Sequence, residues 1–79
     1  MINNIYAIFD KAAQAYCSTF TASNNAVAAR NFKAAMTDKG TMFNQNPADF
    51  SLWKLALWDD ITGDFMEAKE KVIDGCSTD

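Results

Sequence analysis

A chain of 79 residues and 8.7 kDa has room for one hydrophobic core, and a content of 49% hydrophobic and 13% aromatic residues is enough to fold it. Ten acidic against seven basic residues give a net charge of −3, which argues against coating duplex DNA or an anionic membrane by bulk charge. Histidine is absent, which removes His-based acid–base catalysis, Ser–His and Cys–His nucleophile pairs and the commonest zinc ligand; the composition points away from an enzyme.

Residues 3–10, Asn-Asn-Ile-Tyr-Ala-Ile-Phe-Asp, read as a strand, with Ile5, Ala7 and Phe9 on one side and Tyr6 and Ile8 on the other. Asp10-Lys11 supplies a turn, and Tyr16 to Thr21 alternates weakly as a second strand hairpinned to the first. Ser23 or Asn24 then offers an N-cap oxygen to a helix of alanine-rich sequence that runs to about Asp38 and stops at Gly40. Its apolar stripe is Ala28, Phe32, Ala35 and Met36, while Arg30, Lys33 and Thr37 line a different face.

Thr41 to Gln45 has no clear period, and Asn46-Pro47-Ala48-Asp49 forms a capped single turn with Pro47 at the first helical position. Ser51 to Asp59 is the strongest strand signal. Unbroken alternation would put Trp53, Leu55 and Leu57 on one side and Leu52, Lys54, Ala56 and Trp58 on the other. Asp59 to Asp64 is a hairpin connection in which Gly63 can take a positive φ. Phe65 to Ile73 returns as the last strand, its alternation blurred by Glu67, Lys69, Glu70 and Lys71.

The sum is an α+β domain over residues 1–74, hairpin–helix–hairpin, with a flexible tail at 75–79. A four-stranded, mainly antiparallel sheet carries one helix packed on one face. On this reading Phe32, Ala35 and Met36 pack on Trp53, Leu55 and Leu57, and the other sheet face is wet, dimerised or bound to something. Ile8, Leu52, Ala56 and Trp58 make that face apolar enough to argue for a homodimer.

The polar groups exclude more than they propose. Asp59, Asp60 and Asp64 fail the EF-hand spacing, because Gly63 falls at the fifth place from Asp59 rather than the sixth. The isolated glycines Gly40, Gly63 and Gly75 make no phosphate loop. No catalytic residue, metal site or cofactor is therefore expected. Cys17 and Cys76 read as free thiols rather than a disulfide. The longest apolar run, Ile5 to Phe9, falls far short of the roughly 20 residues of a membrane helix, and no basic region precedes it as in a signal peptide. The expectation is a chain that stays in the compartment where it is made and has no membrane partner.

Aromatic residues beside cations are how proteins hold single-stranded nucleic acid, and an acidic domain can do so through a local patch. Tyr6, Lys54 and Trp58 are placed on the open sheet face and Arg30 and Lys33 on the exposed helix face. The competing reading makes Trp58 core or dimer interface and Arg30 an ordinary solvated helix residue. No RNP1 signature is present, so an RRM is not supported.

The series Tyr6-Ala7-Ile8-Phe9-Asp10-Lys11, Ala28-Ala29-Arg30-Asn31-Phe32, Asn46-Pro47-Ala48-Asp49-Phe50-Ser51-Leu52 and Asp59-Asp60-Ile61-Thr62-Gly63 resembles the small nonstructural protein of gokushovirus-type microviruses, phages with circular single-stranded DNA genomes. Thr19, Ala29 and Ala56 depart from that pattern. The resemblance implies a DNA-binding regulator in the host cell cytoplasm, acting at the switch from double-stranded replication to single-stranded genome synthesis and packaging. It implies no catalytic residue, and it singles out Arg30 as the polar helix position to watch. The alternative is a protein–protein adaptor oligomer acting on phage or host replication proteins without touching DNA. Salt-dependent binding to oligonucleotides separates the two.

Overall fold

The computed structural model describes residues 1–75. Its strands are β1 (Ile2–Asp10), β2 (Ala15–Ala22), β3 (Phe50–Asp59) and β4 (Phe65–Asp74). Its helices are α1 (Asn25–Thr37) and the single turn α2 (Met42–Gln45), followed by a 3-10 turn at Pro47–Asp49. The strands make one sheet in the order β2-β1-β3-β4, each neighbouring pair antiparallel. The expected α+β class, with one main helix on a four-stranded sheet, is the class the chain adopts.

Local chemistry sets the element ends. The Asp10 carboxylate accepts the Ala12 and Ala13 N–H groups at 3.0 and 3.3 Å, which closes the β1–β2 turn. Asn24 is the helix cap: its Oδ1 accepts the Val27 N–H at 2.9 Å. Past Asp38 the chain leaves the helix, and Gly40 takes a φ of +92°, a region open to glycine. The stretch after it is helical although its sequence has no period. The Thr41 hydroxyl accepts the Asn44 N–H at 3.2 Å, and the Asn44 amide donates to the Met36 carbonyl at 2.9 Å. These side-chain caps tie α2 to the end of α1 without any apolar repeat.

The core consists of Tyr6 and Ile8 from β1, Ala28, Phe32 and Met36 from α1, and Phe50 and Leu52 from β3. Phe43 packs against it edge-on to Phe50, with ring centroids 4.9 Å apart. The helix stripe is as expected at Ala28, Phe32 and Met36, with Ala35 half-buried at its margin. The sheet side is not. The helix covers Tyr6, Ile8 and Leu52, rather than Trp53, Leu55 and Leu57.

A β-bulge accounts for part of the difference. The β1–β3 register pairs Tyr6 with Lys54 and Ile5 with Ala56, which leaves Leu55 as an extra residue. Crossing it reverses the alternation. Leu52, Lys54 and Leu57 therefore share the α1 side with Asn4, Tyr6 and Ile8, while Ser51, Trp53, Ala56 and Trp58 share the other side with Asn3, Ile5, Ala7 and Phe9. The remaining part is which side of β1 the helix chose. Tyr6 is wholly buried beneath α1, and its hydroxyl donates to Asn25 Oδ1 at 2.7 Å.

Gly75, assigned to the tail by the sequence, is part of the packed unit. It is buried, its N–H donates to the Phe50 carbonyl at 2.7 Å, and a Cβ there would collide with the carbonyls of Pro47 and Phe50. Cys17 packs against the core as a thiol, and burial, with Asp10 nearby, pushes its pKa up. The rest of the predicted tail, 76–79, lies outside the described residues, and with it the expectation for Cys76.

Candidate functional site

The face of the sheet away from α1 carries a row of aromatic side chains. Cross-strand partners share a face, so β1 brings Phe9, β2 brings Tyr16, β3 brings Trp53 and Trp58, and β4 brings Phe65. They fall into two groups. Phe9 and Tyr16 lie 4.8 Å apart between centroids, and Tyr16 meets Trp53 edge-on at 6.5 Å. Nearer the β3–β4 turn, Trp58 and Phe65 stack at 6.1 Å with their planes 23° apart.

This row is held in place rather than merely exposed. The Trp53 indole N–H donates to Ser51 Oγ at 2.9 Å, which fixes the ring along the strand and satisfies its polar edge. Ser51 is itself buried, so the anchor is rigid. Tyr16 is 39% and Phe65 67% exposed, leaving ring surface open to a ligand, whereas Phe9, Trp53 and Trp58 are half-buried against the sheet.

Charge on this face is mixed. Lys69 Nζ lies 6.0 Å from the centre of the Tyr16 ring and has no carboxylate within 4 Å among the described residues. Lys71, the register partner of Trp53, bonds Asp74 at 3.1 Å, and Lys11 reaches the same carboxylate at 3.5 Å. Lys71 holds the Asp74 carboxyl below its ordinary range, with Lys11 adding to the effect. Glu67, the partner of Ala56, sits between the two aromatic groups. Asp59, Asp60 and Asp64 crowd the turn beyond Trp58 with no Lys or Arg among them, and the Met1 ammonium, bonded to Asp60 at 2.9 Å and 3.9 Å from Asp59, offsets only part of that charge. An anionic backbone would therefore run along the Lys69 side, with its bases toward Tyr16 and Trp53.

Of the residues singled out from sequence, Trp58 stands on this face and the others do not. Tyr6 is core: it is 0% exposed, so no base can stack on it. Burial pushes its phenol up, with Glu70 adding to the effect, which keeps it a neutral donor to Asn25. Lys54 belongs to the α1 side and pairs with Glu70 at 3.8 Å. Its position across the bulge from Trp58 separates two residues that the sequence had joined. Arg30 and Lys33 are exposed on α1, as expected, with no ion-pair partner among the described residues. Because α1 packs on the opposite face of the sheet, these two cations and Trp58 cannot grip one short strand together.

Phe9, Tyr16, Trp53, Phe65 and Lys69 are the residues that the sequence reading missed. The blurred alternation of β4 was the available signal, since its register slips against β3 both at Leu52/Trp53 and at Lys54/Ala56. Among the described residues no cluster of acidic or cysteine side chains could hold a metal ion, and no helix is long and apolar enough to cross a membrane.

A family model described as Phage ORF5 protein matches residues 3–78. No curated protein and no solved structure matches the chain.

Proposed function

Because the chain belongs to the Phage ORF5 protein family, we propose that it is a non-enzymatic, nonstructural phage protein that binds single-stranded DNA on the open face of its sheet. Its role would be to regulate genome replication in the host cytoplasm, at the switch from double-stranded to single-stranded synthesis and packaging. The narrower kinship with gokushovirus-type microviruses rests on the four motifs beginning at Tyr6, Ala28, Asn46 and Asp59.

The observation that carries the reading is the row Phe9, Tyr16, Trp53 with Lys69 over the Tyr16 ring. Aromatic faces accept any base, which suits sequence-tolerant binding, and one unpaired cation beside them serves a phosphate. Duplex DNA would have to be unstacked to use such a surface, so the preference is for single strands. With one or two phosphates neutralised, the salt slope should be shallow, roughly −0.7 to −1.4 in log–log form for a single strand.

A labelled oligothymidylate titrated with Trp53→Ala and with Arg30→Ala/Lys33→Ala separates the two faces. Losing one stacking ring should weaken binding about 5- to 160-fold, while the helix variant should bind like the parent. Loss confined to the helix variant would move the site to α1. A folded parent that binds no oligonucleotide would leave the adaptor reading, in which this apolar face meets a replication protein or a second copy.

A further inference from the structure

The exposed large hydrophobic residues are concentrated at one end of the molecule. Ile61 in the β3–β4 turn is 82% exposed, and Phe65 and Met66, at the start of β4, are 67% and 46% exposed. Asp59, Asp60, Asp64 and Glu67 lie along the same turn and strand start, and the Met1 ammonium, 2.9 Å from Asp60 and 3.9 Å from Asp59, offsets only part of their negative charge. At the far end of the same strand, an apolar groove of about 550 Å³ opens between α1 and β4, lined by Phe32, Met36 and Ile73 with Lys33 and Thr37 at its rim. Asp74, also on that groove, is held by Lys71 and Lys11. The outer side of α1 carries Arg30 and Lys33 and no acid between Asn25 and Thr37.

From this arrangement we propose that the protein self-associates head to tail, the acidic, apolar β3–β4 tip of one copy entering the cation-rimmed groove of the next. A ten-residue strand separates the two surfaces, or roughly 30 Å at about 3.3 Å per residue, on a molecule whose long axis is 41 Å. A tip and a groove so far apart cannot meet within one copy. One tip seated in the next copy's groove leaves a tip and a groove free, so the contact is heterologous and propagates into a chain or ring. A reciprocal pair of antiparallel copies would instead stop at a dimer that either surface variant abolishes, and that result would overturn the propagating chain. Opposite charge at the two ends favours this register over tip against tip, where four carboxylates offset by one terminal ammonium would face their own kind. The mode covers Phe65 but leaves the Phe9, Tyr16 and Trp53 group of the sheet face open, so successive copies could lie along one strand of nucleic acid. The inference does not depend on that binding and is tested without it.

Sedimentation equilibrium of the full chain, with no nucleic acid present, gives the test. The parent's mean mass should rise with concentration past that of a dimer and fall when salt is added. Ile61→Arg/Met66→Arg spoils only the tip, and Lys33→Glu/Thr37→Glu spoils only the groove. Each pair alters exposed side chains, and circular dichroism checks that both variants fold. Either variant alone should need at least about tenfold higher concentration to reach the parent's mean mass. An equimolar mixture should recover association but stop at a one-to-one dimer, because each variant keeps one good surface. A parent that stays at 8.7 kDa in the high micromolar range would overturn the proposal. So would a mass plateau at the dimer that the groove variant retains, which would indicate a symmetric contact elsewhere.

Discussion

Replacing Leu52 with alanine tests which face of β3 lies under the helix. Leu52 is 0% exposed and packs among Ile8, Phe32 and Phe50 in the core. Trimming its isobutyl side chain to a methyl removes three carbons, about 2.4 kcal/mol of burial at about 0.8 per carbon, and leaves a cavity hemmed in by a helix and two strands. Leu→Ala changes at such sites cost about 2.7–5.0 kcal/mol in total. A 79-residue domain has about 4–12 kcal/mol to lose at 0.05–0.15 per residue, so the variant should stand near the edge of unfolding. Urea unfolding followed by tryptophan emission should show the midpoint falling by about 3–5 M, if m is near the 1 kcal/mol/M of a small domain. Leu55→Ala, at the bulge and half-buried, should cost less than half as much. A Leu52 variant within about 1 kcal/mol of the parent, beside a Leu55 variant that costs more than 3, would refute the bulge and restore the uninterrupted alternation.

Three further outcomes follow. Tyr6→Phe should lower stability by about 1 kcal/mol, through loss of the bond to Asn25, and leave oligonucleotide affinity unchanged; a binding defect in the folded variant would return Tyr6 to the site. Gly75→Ala should destabilise the domain, because the new Cβ meets two backbone carbonyls; an unchanged melting temperature would mean that the end of β4 is not anchored on Pro47 and Phe50. Asp60 and Asp74 are held below their ordinary value of 3.8, Asp60 first by its bond to the terminal ammonium and Asp74 first by Lys71. Their contribution is complete above the unfolded value and is lost as pH falls through the lowered folded one. Asp60→Asn/Asp74→Asn should therefore flatten stability below about pH 4 and leave a parallel, slightly lower curve at neutrality; an acid limb as steep as the parent's would contradict the assignment.

The sequence was most legible where one local rule acted alone. Asn24 with its alanine-rich helix, the Ala28–Phe32–Met36 stripe and the four strand segments followed from capping, propensity and period, and each lies within a residue or so of its expected place. The sheet faces were less legible, because a period-2 pattern carries no mark where a bulge resets it. Trp53 and Trp58 stand five positions apart in the chain, which plain alternation puts on opposite sides, and the extra residue at Leu55 puts them on one. Tyr6 misled for a different reason: a tyrosine can be core or platform, and the partner that settled it, Asn25, lies 19 residues away. Lys69 and Tyr16 likewise meet only because β2 and β4 present side chains to the same face from opposite edges of the sheet.

Tryptophan fluorescence tests the central claim most directly, since both tryptophans of the chain lie on the open sheet face. Bases stacking there must change their emission, whereas contact through Arg30 and Lys33 on the opposite side need not. Titration of the unmodified protein with oligothymidylate should quench the emission saturably, and an equal concentration of duplex should leave it almost unchanged. Binding detected by anisotropy without any quenching, or quenching as strong with duplex as with single strand, would contradict the account.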